Sequence, residues 1–318
     1  VALRRPSAAT TQCSERWSRT ATALRQRLRM PVSLPYDFVM NKREAFQTLA
    51  HDLEKGELVF PTNARLALKL RHALSDPDCH LETAVQLIQA EPLLSARVIA
   101  MANSVAFNRS GREIADVRSS VMRLGFGSVR LLAMALVTRQ LAGSFGADSG
   151  RNAATQLWEH SAQVASLARV IAQRVTGVDA DAAMFAGIVH EIGGFYLLSR
   201  ARSFPGLLDG DFSDWIEYGE PAVGRAVLKA LEMPEAVLDA IEEYWSGRFK
   251  IPPGSLGDTL LLSDELAKVS SPLRPYGANR VERAMKANVD QAISWEELTS
   301  ILAESAEEVA SLARALRF

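Results

Sequence analysis

From residue 43 onward, apolar residues recur at intervals of three and four, and no stretch alternates β-branched residues at a period of two. Spacings of three and four put side chains on one face of an α-helix, whereas a period of two marks a strand. Phe46, Leu49 and Leu53 follow the helical rule, as do Leu66, Leu70, Ala73 and Leu74, and then Ala84, Leu87 and Ile88. Pro92 stands where a first helical turn needs no N–H, ahead of Leu93, Leu94, Val98 and Ile99. Further helices are expected over 117–124, 129–141, 152–175, 179–189, 195–201, 222–231, 235–245 and 256–269. Gly125 is expected to end the first of these in a left-handed cap. Ser294 with Glu297 and Ser305 with Glu308 have the spacing of capping boxes and should start two terminal helices. No repeat of 20–50 residues points to a solenoid. The chain therefore reads as all-α, a compact two-lobed helical assembly.

The run from Gly143 to Gly150 is small and polar and marks the best internal boundary. It divides an N-terminal helical lobe, 40–147, from a second lobe with C-terminal helices, 148–318. Residues 1–39 differ: seven Arg, no Lys, two acids (Glu15 and Asp37) and no sustained amphipathic period. A basic, acid-poor leader can be a transit peptide or a nucleic-acid-binding arm. It reads here as a disordered or wrongly assigned extension, with helical patterning starting beside Met40.

A net charge of -1 gives no global field to draw the molecule onto nucleic acid or an anionic membrane. Arg65, Lys69, Arg71 and His72 form a local basic cluster, read as a solvated helix face with nucleic-acid contact as the alternative. Cys13 and Cys79 lack metal-type spacing and cannot make a disulfide framework, which fits a cytoplasmic protein. The apolar stretch from Leu131 to Val137 is far short of the roughly 20 residues that cross a bilayer. No membrane partner is expected.

Two stretches carry a family resemblance. Glu91 to Ser104 (EPLLSARVIAMANS), followed by Val121-Met122-Arg123-Leu124-Gly125, is similar to the "DP-L-TA-LL-ANS" helix and "AI-LG" corner of HDOD (HD-related output) domains, with Glu91 in place of Asp. Trp158-Glu159-His160-Ser161 and Phe185 to Gly193 (FAGIVHEIG) resemble the family's "W-HS" and "A-GLLHDIG" segments. Pro92, Asn103, Ser104, Leu124, Gly125, Gly187 and Gly193 are the motif positions, read as structural. Asn103 and Ser104 close an apolar helix, where short polar side chains can satisfy orphan backbone groups.

The resemblance extends to the HD phosphohydrolase superfamily and implies a helical core of that kind. It also implies a metal set of His160, His190, Glu191 and Asp264. Imidazoles and carboxylates suit a divalent transition metal, which can activate a water. Glu191 stands where the superfamily has Asp, moving its carboxylate out by roughly 1.5 Å. Related HD-GYP enzymes carry further histidines at the positions of Glu220 and of Tyr244 and Trp245, which instead read as a possible ligand cleft. The set is thus expected to be vestigial, without a cofactor, and a bound divalent metal is the alternative. His160 also lies on one apolar stripe with Val164, Leu167, Ala168 and Ile171.

By this resemblance the chain is expected to be a non-catalytic bacterial signalling module. It would bind a signalling protein or a small nucleotide, and its lobes would shift about 143–150. The alternative is a metal-dependent phosphohydrolase of a nucleotide or cyclic dinucleotide.

Overall fold

The computed structural model describes residues 41–55, 64–76, 78–141, 148–204, 206–274, 281 and 294–316. The leader 1–39 and the stretch 142–147 of the expected boundary lie outside them. Among the described residues every regular element is helical: α1 (Lys42–Glu54), α2 (Ala64–Ala73), α3 (Leu81–Gln89), α4 (Pro92–Ala102), α5 (Val117–Leu141), α6 (Asp148–Ile171), α7 (Ala180–Val189), α8 (Ile192–Arg200), α9 (Glu220–Ala230), α10 (Glu235–Ser246), α11 (Leu256–Glu265), α12 (Trp295–Glu304) and α13 (Ala306–Ala315).

The apolar stripes read from the sequence face inward. Phe46, Leu49 and Leu53 are buried on α1, and Leu94 and Val98 on α4, where Pro92 sits in the first turn. The stripe of α6, Val164, Leu167, Ala168 and Ile171, is buried together with His160. Helices α2, α3 and α4 pack on α5, while α7, α11 and α13 pack on α6. Two stretches are long and apolar enough to cross a bilayer, Val117–Gln140 and Ala180–Arg200; 67% and 83% of their apolar windows are buried inside the protein, as in core helices.

Four local readings need correction. Gly125 does not take a left-handed cap: its φ of 74° and ψ of 163° fall in a region open essentially only to glycine, and the chain kinks there and runs on within α5. The helix expected over 195–201 starts earlier, at Ile192, so that Gly193 and Gly194 lie in the first turn of α8. A Cβ on Gly193 would stand 2.7 Å from the Cα of Gly224, so the bare backbone is what lets α8 and α9 touch. The Ser294 capping box is formed, but Ser305 makes none. Ser305 also closes α12, and its hydroxyl donates back to the Ile301 carbonyl at 2.9 Å. Finally, Ser104 does serve the end of α4, its hydroxyl donating to the Met101 carbonyl, whereas Asn103 clamps a loop. Its amide donates to the Ile114 carbonyl at 2.7 Å and accepts from the Ile114 N–H at 2.9 Å.

The basic cluster of α2 is not one exposed face. Lys69 and His72 are exposed, while Arg71 turns inward and donates to the Leu231 carbonyl. The side chain of Arg65 lies outside the described residues.

Candidate functional site

The four residues of the expected metal set meet in the core between α6, α7 and α11. His160 comes from mid-α6, His190 caps α7, Glu191 fills the step into α8, and Asp264 sits in the last turn of α11. Gly187 permits this meeting: a Cβ there would lie 2.5 Å from the Cα of Ala165, so α7 presses directly on the backbone of α6.

Both imidazoles are oriented by backbone carbonyls. His160 Nδ1–H donates to Val269 at 2.7 Å, and His190 Nδ1–H donates to Gly187 at 2.8 Å. A carbonyl only accepts, so each ring keeps a proton on Nδ1 and turns Nε2 toward the other. The two Nε2 atoms are 3.3 Å apart. His160 Nε2 also lies 3.1 Å from Asp264 Oδ1 and 3.7 Å from Glu191 Oε2. Two facing lone pairs at this distance require a proton or a cation between them.

A second layer surrounds the set. Glu191 Oε1 accepts from the Ser271 hydroxyl at 2.6 Å, and Glu191 Oε2 is buried without a donor among the described residues. Glu220, at the start of α9, is 1% exposed and holds Arg274, whose guanidinium lies over the Tyr244 ring at 4.8 Å. Tyr244 in turn meets His190 edge to face at 5.4 Å. Of the three residues read as a possible cleft, Glu220 and Tyr244 are buried in this layer and Trp245 is half-buried.

Electrostatics follow from this packing. Burial alone would lower the His160 pKa, but the carboxylates of Glu191 and Asp264 outweigh it and raise the group to about 9. Burial, aided by the His160 charge, depresses His190 to about 3. Burial raises Glu191 to about 7 against the pull of His160, with Glu220 adding to the rise. Asp264 is held below its usual value because hydrogen bonding and charge from His160 overcome its burial. Burial raises Glu220, opposed by Arg274. With every acid ionised, three carboxylates face two cations, His160 and Arg274. The deficit of one positive charge adds to burial in raising Glu191.

The donor set fits a divalent cation. His160 and His190 would offer Nε2, Asp264 and Glu191 a carboxylate oxygen each, and the potential ligand atoms of His160, His190 and Glu191 lie within 4.8 Å of one another. The carbonyl bonds to each Nδ1 are the kind of support that metal-binding histidines use. A divalent ion replacing the His160 proton would also cancel the charge deficit.

Sequence reading missed Ser271 and Arg274, which follow α11 in a segment with no helical period. Val269 N–H donates to Gln163 Oε1 at 2.9 Å and ties this segment to α6. The available signal was Glu220 itself, a carboxylate in one stripe with buried Val223 and Val227, which demands a cation.

A family model for the HDOD domain matches residues 60–210. Among solved structures, the chain resembles a protein from Shewanella amazonensis SB2B proposed to be a metal-dependent phosphohydrolase, at 22% identity and a TM-score of 0.66 over 87% of this chain and 99% of that one. It also resembles an HDOD domain protein of unknown function from Geobacter sulfurreducens, at 19% identity and a TM-score of 0.56 over 86% and 97%. A protein from Marinobacter aquaeolei VT8 proposed to act in signal transduction matches at 17% identity and a TM-score of 0.53 over 88% and 67%. No curated protein matches. At these identities the likeness establishes the helical fold.

Proposed function

Since residues 60–210 are an HDOD domain, we propose that this chain is a non-catalytic bacterial signalling module, cytoplasmic, acting by binding a partner protein or a small nucleotide. The observation that carries this reading is the enclosure of the chemical centre. His160, His190, Glu191 and Glu220 are each 1–2% exposed. Among the described residues of the cluster, only Asp264 and Arg274 reach solvent, with side chains 27% and 22% exposed. Arg274 is already bound to Glu220 there. A hydrolase must seat a phosphate oxygen and a water against its metal, and a catalytic metal keeps a coordination position open for them. Here three of the four would-be ligands are closed off from solvent, and Arg274, the partly exposed cation of the cluster, is spent on Glu220.

The second reading, a metal-dependent phosphohydrolase, is favoured by one feature: two oriented Nε2 atoms and an unpartnered Glu191 oxygen converge in ligand geometry. When bound at His160, His190, Glu191 and Asp264, a divalent ion would supply a Lewis acid. The residues themselves orient the imidazoles and exclude bulk water, and without an ion they hold a proton at His160 Nε2.

Hydrolysis of bis(p-nitrophenyl) phosphate with added manganese separates the two. Wild-type protein is expected to show no turnover above that of His190→Ala. Turnover that depends on both manganese and His190 would replace the regulatory reading with the catalytic one.

A further inference from the structure

A second concavity lies away from the buried cluster, a cleft of about 630 Å³ reached by helices from both halves of the chain. That volume falls within the roughly 300–1,000 Å³ typical of small-molecule sites. Its lining mixes both charges with apolar side chains. His72 and Arg130 stand on α2 and α5, Asp179 and Asp181 stand at the start of α7, and Phe185 and Met233 give an apolar surface.

Which charges are already committed decides what the cleft can take. Arg71, at the same wall, donates to the Leu231 carbonyl and lies 3.5 Å from Glu232. Asp179 Oδ1 accepts from the Ala182 N–H at 2.7 Å, and Asp181 Oδ1 accepts from Arg169. The side chains of Arg130 and His72 are exposed, and neither has a hydrogen bond or ion pair among the described residues. The cleft therefore offers an uncommitted guanidinium and imidazole, and with them the second oxygens of two carboxylates, which accept N–H donors. The free Asp181 oxygen lies beside Gly127, on the helix that carries Arg130. Phe185 is half-buried and presents a ring to the cleft.

Glu232, on the rim, holds a φ of 51° as the left-handed residue that ends α9. Its N–H donates to the Lys229 carbonyl at 2.8 Å, and the Met233 N–H donates to the Leu228 carbonyl at 3.1 Å. This helix end sets the Glu232 carboxylate beside Arg71 at the cleft edge.

We infer that this cleft binds a purine nucleoside monophosphate, its phosphate toward Arg130 and His72, its ring against Phe185 and Met233, and its N–H edge toward Asp179 and Asp181. Each part of the ligand answers one kind of group: an anion for the guanidinium and imidazole, a flat heteroaromatic face for the ring and thioether, and donors for the acids. The inference rests on the ligand-binding reading above and adds the place and the class.

Calorimetric titration of the whole chain with GMP and with AMP tests it, with inorganic phosphate and guanosine as partial probes. Arg130 is exposed, so Arg130→Ala should fold normally. At least one nucleotide is expected to bind, phosphate and nucleoside to bind at least tenfold more weakly, and Arg130→Ala to weaken the nucleotide at least tenfold. No binding of either nucleotide at millimolar concentration, an unchanged affinity in Arg130→Ala, or phosphate binding as well as the nucleotide would each overturn it. Chromatography of the recovered nucleotide keeps the two readings apart. Intact nucleotide bound through Arg130 supports both. Cleaved nucleotide bound through Arg130 supports the cleft and sinks the non-catalytic reading.

Discussion

Arg274 and Glu220, 54 residues apart in sequence, meet in the core through two hydrogen bonds from one guanidinium to a single carboxylate oxygen, at 2.9 and 2.6 Å. The other Glu220 oxygen is buried with no hydrogen-bond donor among the described residues.

Breaking this pair from one side leaves the partner charge stranded in a dry site. Arg274→Met is expected to lower unfolding stability by about 3–5 kcal/mol. The double variant Glu220→Gln with Arg274→Met should recover much of that loss, because no unpaired ion is left behind. Urea unfolding of the three proteins checks it; additive losses would mean that the two groups do not interact.

Stability should fall on the alkaline side through His160. Its folded pKa, raised to about 9, lies above the unfolded value near 6.5, so the protonated form favours the native state. The contribution is complete below the unfolded pKa and disappears as pH climbs through about 9. Thermal midpoints are expected to drop between pH 7 and pH 9.5, with a loss on the order of 3 kcal/mol at most. His160→Gln should flatten that limb. His190 works in the opposite sense: depressed to about 3, it penalises acid conditions as pH falls below the unfolded value.

Gly187→Ala would drive a methyl group into the Ala165 backbone, to 2.5 Å from its Cα. Neither helix can yield by a rotamer change, so a loss toward the upper end of the roughly 1–3 kcal/mol of overpacking is expected. Denaturant midpoints report it, and a neutral result would show that α6 and α7 separate easily.

Asn103→Ala removes both bonds to Ile114 and frees the loop that follows α4. A destabilisation of about 1–3 kcal/mol is expected, together with faster amide exchange at Ile114. Unaltered exchange would assign the loop's order to other contacts.

The helical architecture was legible because burial imposes a three-and-four period, and Phe46, Leu49, Val98 and Ile171 obey it in the structure. The gathering of His160, His190, Glu191 and Asp264 was foreseen through motif resemblance, since residues from separate helices leave no common period. Ser271 and Arg274 escaped notice because their partners are long-range and their segment is irregular. Ser305 misled for a different reason: one residue cannot both close a helix and cap the next with the same hydroxyl. Gly193 stood outside the helix expected over 195–201, yet it serves the close contact of α8 with α9, which only three-dimensional neighbours reveal.

Helix α7 begins at the cleft with Asp179 and Asp181 and ends ten residues later at His190, roughly 15 Å away. Pinned to α6 at Gly187, it has little room to flex between those ends, so it behaves as a stiff rod with a fulcrum near one tip. An occupant of the cleft that tilted this helix would alter the spacing of the imidazoles at its inner end. Thermodynamic reciprocity then runs both ways: whatever factor an occupant outside imposes on cation affinity inside, the cation imposes in return.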